Sequence, residues 1–82
     1  MLEPAQIRAA RGLLGWRQGD LSKASGVGTA TIRRIEKSDA MTGYASTLAR
    51  IQAAFEEAGV EFIDDDETGG FGLRMAKKKK KR

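Results

Sequence analysis

The chain has 82 residues, carries 15 Lys and Arg against 11 Asp and Glu, and contains neither Cys nor His. This length fits one small domain, and the missing residue types exclude disulfides, catalytic thiolates, cysteine-based zinc sites and histidine acid–base chemistry. No apolar run reaches the roughly 18 residues of a membrane-spanning helix. We therefore expect an intracellular protein that binds a partner, with no enzymatic activity, cofactor, metal, membrane association or small-molecule substrate.

The net charge of +4 is unevenly distributed along the chain. Residues 8–37 contain seven basic and two acidic side chains, residues 60–76 contain one basic and five acidic side chains, and residues 77–82 are all basic. A concentrated positive field attracts polyanions, because each phosphate that is neutralised releases counterions. A basic helix surface is nevertheless more often a solvated face than a binding site, so charge alone does not predict one.

The first part of the chain predicts two helices with clear ends. Pro4 suits the first position of a helix, apolar side chains then recur every three or four residues, and Gly15 is free to end it. This pattern predicts a helix over residues 4–14. A shorter helix is predicted over residues 18–25, with Gly26 as its end.

A third helix is predicted over residues 29–37, because Ile32 and Ile35 define an inward face. With the preceding helix and the short glycine-containing turn, it forms a helix-turn-helix arrangement. Its opposite face has small residues at the leading end and arginines behind them, which suits the major groove, where arginine can pair with both acceptors of guanine. The alternative is that these arginines only solubilise the helix. The outward residues are Thr29, Ala30, Arg33, Arg34 and Lys37.

The second half of the chain predicts a loop, a fourth helix and two short strands. Residues 38–45 show no apolar period, and Ser46 is suited to cap a helix that ends at Gly59. The period then changes: residues 60–63 and 71–75 flank a turn-rich acidic segment, which predicts a β-hairpin or two short strands.

Several residues of the two central helices have the spacing of a known family. They are Gln18, Leu21, Gly26, Val27, Thr31, Ile32, Ile35 and Glu36. Over roughly residues 5–58, the chain resembles the lambda-repressor/Cro-like helix-turn-helix family, also called XRE. The resemblance implies a mainly α fold with a four-helix lambda-repressor-like helix-turn-helix domain, to which the sequence pattern adds a short C-terminal β-hairpin or strand pair and a disordered basic tail. It also implies a sequence-specific DNA-binding transcriptional regulator, a repressor that reads the major groove of an operator with helix 3.

The resemblance assigns roles to individual residues. Arg11 and Glu36 match a pair that commonly forms a partly buried salt bridge between helices 1 and 3. The amino terminus of helix 2 can also bind phosphate, because its backbone N–H groups and its dipole favour anions. The expected base-reading residues are Thr29, Ala30, Arg33 and Arg34. The expected phosphate contacts are Arg17, Gln18 and Lys37.

The strand-forming segment takes the place of the family's fifth helix, which affects the expected dimer. A lone hairpin is marginally stable in water, so packing against another surface is needed. We expect a homodimer on double-stranded DNA, joined partly through Val60, Phe62, Phe71 and Leu73. The alternative is that Phe62 and Leu73 only cover the core of a single protomer.

These interpretations divide the chain into a helix-turn-helix domain (1–59), a strand-forming segment (60–75) and a disordered basic tail (76–82). The tail could add sequence-independent affinity for phosphates, act as a nuclear localisation patch or be an added expression segment. The predicted protein is a cytoplasmic, nucleoid-associated bacterial or phage repressor. One alternative is a protein-binding module on the same scaffold, an antitoxin or antiactivator, and another is a nonspecific RNA or DNA binder that acts through its tail.

Overall fold

The computed structural model describes residues 2–37 and 45–77. The helices are α1 (Pro4–Leu14), α2 (Gln18–Ser25), α3 (Thr29–Lys37) and α4 (Ala45–Glu57), and the strands are β1 (Val60–Ile63) and β2 (Gly72–Met75). The two strands pair antiparallel. The predicted mainly helical fold with a C-terminal hairpin is thus confirmed, while the predicted loop (38–45) and tail (76–82) lie mostly outside the described residues. Among the described helices, none has the length and apolar character needed to cross a membrane.

Glycines end the first two helices as predicted, and this keeps the central connections short. Gly15 has φ 69° and Gly26 has φ 76°, both in the left-handed region that other residues rarely adopt. The Gly26 N–H donates to the carbonyl of Ser22 at 2.9 Å, which completes the last turn of α2. Only three residues, 26–28, therefore separate α2 from α3.

The prediction that Ser46 caps α4 is wrong, because the helix already includes Ala45. Alanine has the highest helix propensity of all residues, so the helix extends past the serine and places Ser46 in its first turn. At the other end, α4 stops at Glu57, and Gly59 turns the chain into β1 with φ 103°. A side chain at this glycine would be strained, and its Cβ would also lie 3.3 Å from Cε of Met75.

Phe55 of α4 lies at the centre of the apolar core and is completely buried. Its ring stacks on Trp16, with centroids 5.6 Å apart, and meets the edge of Phe62 at 5.9 Å. The ring therefore joins α4 to the α1–α2 connection and to β1. Among the residues that the structure describes, the other fully buried large side chains are Ile7, Leu21, Ile32, Ile35 and Ile51.

The inner face of the hairpin packs on its own protomer, as the alternative interpretation of Phe62 and Leu73 expects. Val60 is 3% exposed, and Phe62 and Leu73 pack against the same core because α4 lies against β1 and α1 against β2. Gln6 of α1 strengthens this attachment by donating from Nε2 to the Gly72 carbonyl at 2.9 Å. Of the four predicted dimer residues, only Phe71 is largely exposed, at 46%.

Asp66 organises the acidic turn between the strands. Its Oδ1 accepts hydrogen bonds from the Thr68 hydroxyl at 2.7 Å, the Thr68 N–H at 2.8 Å and the Gly69 N–H at 3.1 Å. The bond from the Thr68 hydroxyl is the main reason that the pKa of Asp66 is lowered, and the two backbone bonds act in the same direction. This carboxylate therefore has a structural role in the turn.

We expect Thr68→Val to raise the pKa of Asp66 towards its ordinary value of 3.8, because the substitution removes the hydroxyl donor. Because the pKa of Asp66 is lower in the folded state than in the unfolded state, its ionised form stabilises the turn at pH values above the unfolded-state pKa. This stabilisation is lost as the pH falls through the folded-state pKa. An NMR titration of the side-chain carboxyl carbon measures the shift. Thr68→Ser keeps the hydroxyl and serves as the control, and equal pKa values in both variants would contradict this account.

Candidate nucleic-acid interface

The outward face of α3 is cationic and unobstructed at the predicted base-reading positions. Ile32 and Ile35 are completely buried, which fixes the orientation of the helix about its axis. On the other side, Ala30, Arg33 and Arg34 are exposed. Two further predicted contact residues flank this surface: Thr29 is half-buried and Lys37 is exposed at the carboxyl end.

The amino terminus of α2 presents backbone donors next to this face. The Arg17 N–H donates to Oδ2 of Asp20 at 2.9 Å, and the carbonyl of Arg17 accepts from the N–H groups of Asp20 and Leu21. No described residue accepts a hydrogen bond from the backbone N–H of Gln18 or Gly19. Because Gly19 is exposed and a Cβ there would meet only open space, an anion can approach both groups closely.

A nearly buried ion pair connects α1 to α3 beneath this surface. Nε of Arg11 donates to Oε2 of Glu36 at 2.7 Å, and Nη2 donates to Oε1 at 2.8 Å, so the guanidinium and the carboxylate form a two-point contact. The side chain of Glu36 is only 5% exposed, and that of Arg11 is 20% exposed. The hydrogen bond to Glu36 raises the pKa of Arg11, whereas burial acts in the opposite direction.

Glu36 also connects this pair to the other elements of the site. Nε2 of Gln18, the first residue of α2, donates to Oε1 of Glu36 at 3.2 Å. Nη1 of Arg8 donates to the backbone carbonyl of Glu36, and Nη1 of Arg11 donates to the carbonyl of Trp16 at 3.1 Å. Glu36 belongs to α3 and accepts hydrogen bonds from both α1 and α2, so this one residue joins all three helices. This cluster connects α3 to α1 and to the amino terminus of α2, so it holds α3 in a fixed orientation relative to both.

The structure brings together the expected phosphate and base contacts, and it adds residues that the sequence did not indicate. Gln18 is expected at a phosphate, and its amide also bonds Glu36. No local sequence pattern predicts the contact of Arg8 with the Glu36 carbonyl, because this contact depends on how α1 packs against α3. For Gln6, by contrast, part of a signal is present, because a glutamine three residues after the cap position is typical of a capping box, although the cap residue here is Glu3.

Two comparisons with known proteins bear on these features. A family model described as helix-turn-helix matches residues 7–55, which is more than half of the chain. A search of curated proteins found no match. The matched region contains α1 from Ile7 onward, α2, α3 and the α4 segment up to Phe55, together with the Arg11–Glu36 pair and the cationic face of α3. The chain therefore belongs to the XRE or lambda-repressor-like helix-turn-helix family of DNA-binding regulators.

Proposed function

We propose that this protein is a sequence-specific transcriptional regulator, most simply a repressor, that places α3 in the major groove of operator DNA. The observation that carries the proposal is the pair of exposed arginines, Arg33 and Arg34, on the side of α3 opposite to the buried Ile32 and Ile35. A rigidly oriented helix with outward arginines can form paired hydrogen bonds with guanine O6 and N7.

The leading end of α3 supports a close approach to the bases. Ala30 is small and exposed, and Thr29 is partly exposed beside it. Their methyl groups suit contact with the methyl group of thymine, while the arginines one turn later reach further into the groove. In this proposal, base discrimination depends mainly on Arg33 and Arg34.

Phosphate contacts hold the helix in place without reading the sequence. The Gln18 and Gly19 N–H groups and the second N–H of the Gln18 amide can donate to one phosphate, since the first amide N–H is held by Glu36. Arg17 and Lys37 add positive charge on either side of the base-facing surface. Each of these two cations is expected to contribute about one unit to the slope of log affinity against log salt.

Repression would follow from occupying a site that polymerase needs. Regulators with this architecture bind two half-sites about 34 Å apart, so we propose that two copies act together on an inverted repeat. When two linked copies bind the two half-sites together, the overall affinity for the operator is much higher than the affinity of one copy for one half-site.

The proposal is tested by selecting bound duplexes from a random pool at stated salt, followed by measurement on a single half-site. We expect Arg33→Ala and Arg34→Ala each to weaken binding by about 1–3 kcal/mol and to relax the base preference at one or two positions. Arg74→Ala removes an exposed arginine of the hairpin and is the matched control, expected to leave half-site affinity unchanged.

Two results of this experiment would contradict the proposal. If the folded protein enriches no duplex, or if both arginine variants keep the selected preference, base reading by α3 is refuted. A function as a protein-binding module on this scaffold would then be the better explanation.

A further inference from the structure

A small cleft lies where the start of α1, the end of α3 and the residue before β2 meet. Its volume is about 210 Å³, and it is lined by the last two residues of α3 together with Glu3, Pro4, Ala5, Arg8 and Phe71. Pockets for drug-sized ligands measure roughly 300–1,000 Å³, so this cleft suits a smaller molecule. No sequence pattern indicates the cleft, because its three parts meet only through the packing of the folded chain.

The charged side chains of the lining determine which ligand charge the cleft favours. Arg8 and Lys37 are both exposed, and Glu3 is half-buried. The remaining carboxylate of the lining, that of Glu36, is already neutralised by its ion pair with Arg11. Two positive charges thus act against one negative charge, which favours an anion with a single charge over one with two.

Arg8 presents its guanidinium to the cleft from a fixed position. Its Nη1 donates to the backbone carbonyl of Glu36, one of the last carbonyls of α3, which have no acceptor role within the helix itself. This bond occupies one of the five N–H donors of a guanidinium. The planar group can therefore hold a carboxylate through two further donors while it stays attached to α3.

Phe71 gives the cleft an apolar wall beside these charges. Its side chain is 46% exposed, so part of the ring surface is not covered by the core. Aromatic rings attract other rings in stacked or edge-to-face contacts, in addition to the burial of apolar area. A ligand with an apolar body next to its charged group would cover this surface.

We propose that the cleft binds a small organic monocarboxylate with an apolar body. The carboxylate lies between Arg8 and Lys37, and the apolar body lies against Phe71. The Glu3 carboxylate, on the rim of the same cleft, disfavours phosphate and dicarboxylates.

Lys37 connects this site to DNA binding, and this part of the inference rests on the proposed function. Lys37 lines the cleft and is also an expected phosphate contact at the carboxyl end of α3. A carboxylate that pairs with its ammonium group competes with a DNA phosphate for the same charge. The ligand therefore weakens DNA binding, and by linkage DNA weakens ligand binding by the same factor.

Binding is tested without DNA, by following the backbone amide signals in NMR titrations at constant pH and ionic strength. Phenylacetate is the probe; acetate lacks the apolar body, and phenylacetamide lacks the charge. We expect phenylacetate to shift the signals of Ala5, Arg8 and Lys37 saturably and to bind at least about fivefold more tightly than either comparison compound. Absence of saturable shifts at these residues in the tens of millimolar, or equal affinity for inorganic phosphate, would overturn the proposal.

Three variants locate the site. Lys37→Met and Phe71→Ala remove one exposed side chain each from the lining, and both are expected to weaken phenylacetate binding at least about threefold while the circular dichroism spectrum is retained. Lys23→Met removes an exposed lysine of α2 outside the cleft and is the matched control, expected to leave the affinity unchanged. Equal affinities in all three variants would refute this location.

Competition for Lys37 is tested by fluorescence anisotropy with the selected duplex. Saturating phenylacetate is expected to lower the slope of log affinity against log salt by about one unit, and Lys37→Met is expected to abolish this effect. An unchanged slope with a saturated cleft would refute the competition. A chain that binds no duplex would refute the proposed function instead, and the NMR result for the cleft would stand.

Discussion

Replacing Glu36 with alanine is expected to lower the free energy of unfolding by about 3–5 kcal/mol. The substitution leaves the guanidinium of Arg11 without the two acceptors that it contacts at 2.7 and 2.8 Å, and it also removes the acceptor of the Gln18 amide. A nearly buried N–H group that loses its acceptor has neither a hydrogen bond within the protein nor full contact with water, and this costs free energy. For a domain of 82 residues, this is a large fraction of the total stability.

The chain provides its own control for this experiment. Glu61 forms an ion pair with Arg74 through one hydrogen bond, and the two side chains are 50% and 67% exposed, so Glu61→Ala is expected to leave the urea midpoint almost unchanged. Urea unfolding followed by circular dichroism measures both variants, and an Arg11→Met, Glu36→Gln double-mutant cycle separates the coupling energy from the cost of each single change. Equal losses for Glu36→Ala and Glu61→Ala would contradict the structural role of Glu36.

Replacing Phe55 with alanine is expected to lower the free energy of unfolding by about 3–5 kcal/mol. The phenyl ring is completely buried and contacts Trp16 and Phe62, so its removal leaves a cavity between α4, the α1–α2 connection and β1. Trp16 is the single tryptophan of the chain, and its fluorescence is expected to shift to longer wavelength as water approaches the cavity.

Phe71→Ala is the matched control for Phe55→Ala. It removes the same side chain from a position that is 46% exposed, so only a small loss of stability is expected. Comparable destabilisation by the two substitutions would contradict the central position of Phe55 in the core.

The ends of the first three helices could be predicted because their signals are local. Pro4, Gly15 and Gly26 each impose a backbone conformation on their own position, and the inward pair Ile32 and Ile35 fixes which side of α3 faces outward. The outer face of α3 therefore followed from the pattern of apolar residues. Ser46 misled because a good cap residue does not stop a helix when the residue before it favours helix as well.

The parts that sequence did not predict depend on packing between distant segments. The apolar alternation of Val60 and Phe62 predicts a strand, but it cannot tell whether the covering surface belongs to the same chain or to a partner. The contact of Gln6 with Gly72 and that of Arg8 with Glu36 join segments whose approach is decided only when the core closes. Such contacts have no period or motif in the sequence.

The two hydrogen bonds of the Gln6 side chain have a consequence for how the protein is made. Its Oε1 accepts from the Glu3 N–H near the start of the chain, while its Nε2 holds the Gly72 carbonyl, 66 positions later. Translation releases the N-terminal part first, so the Arg11–Glu36 contact, only 25 positions apart, becomes available much earlier. The contact of Gln6 with the hairpin can therefore form only after residue 72 has been synthesised, later than the contact of Arg11 with Glu36 becomes possible.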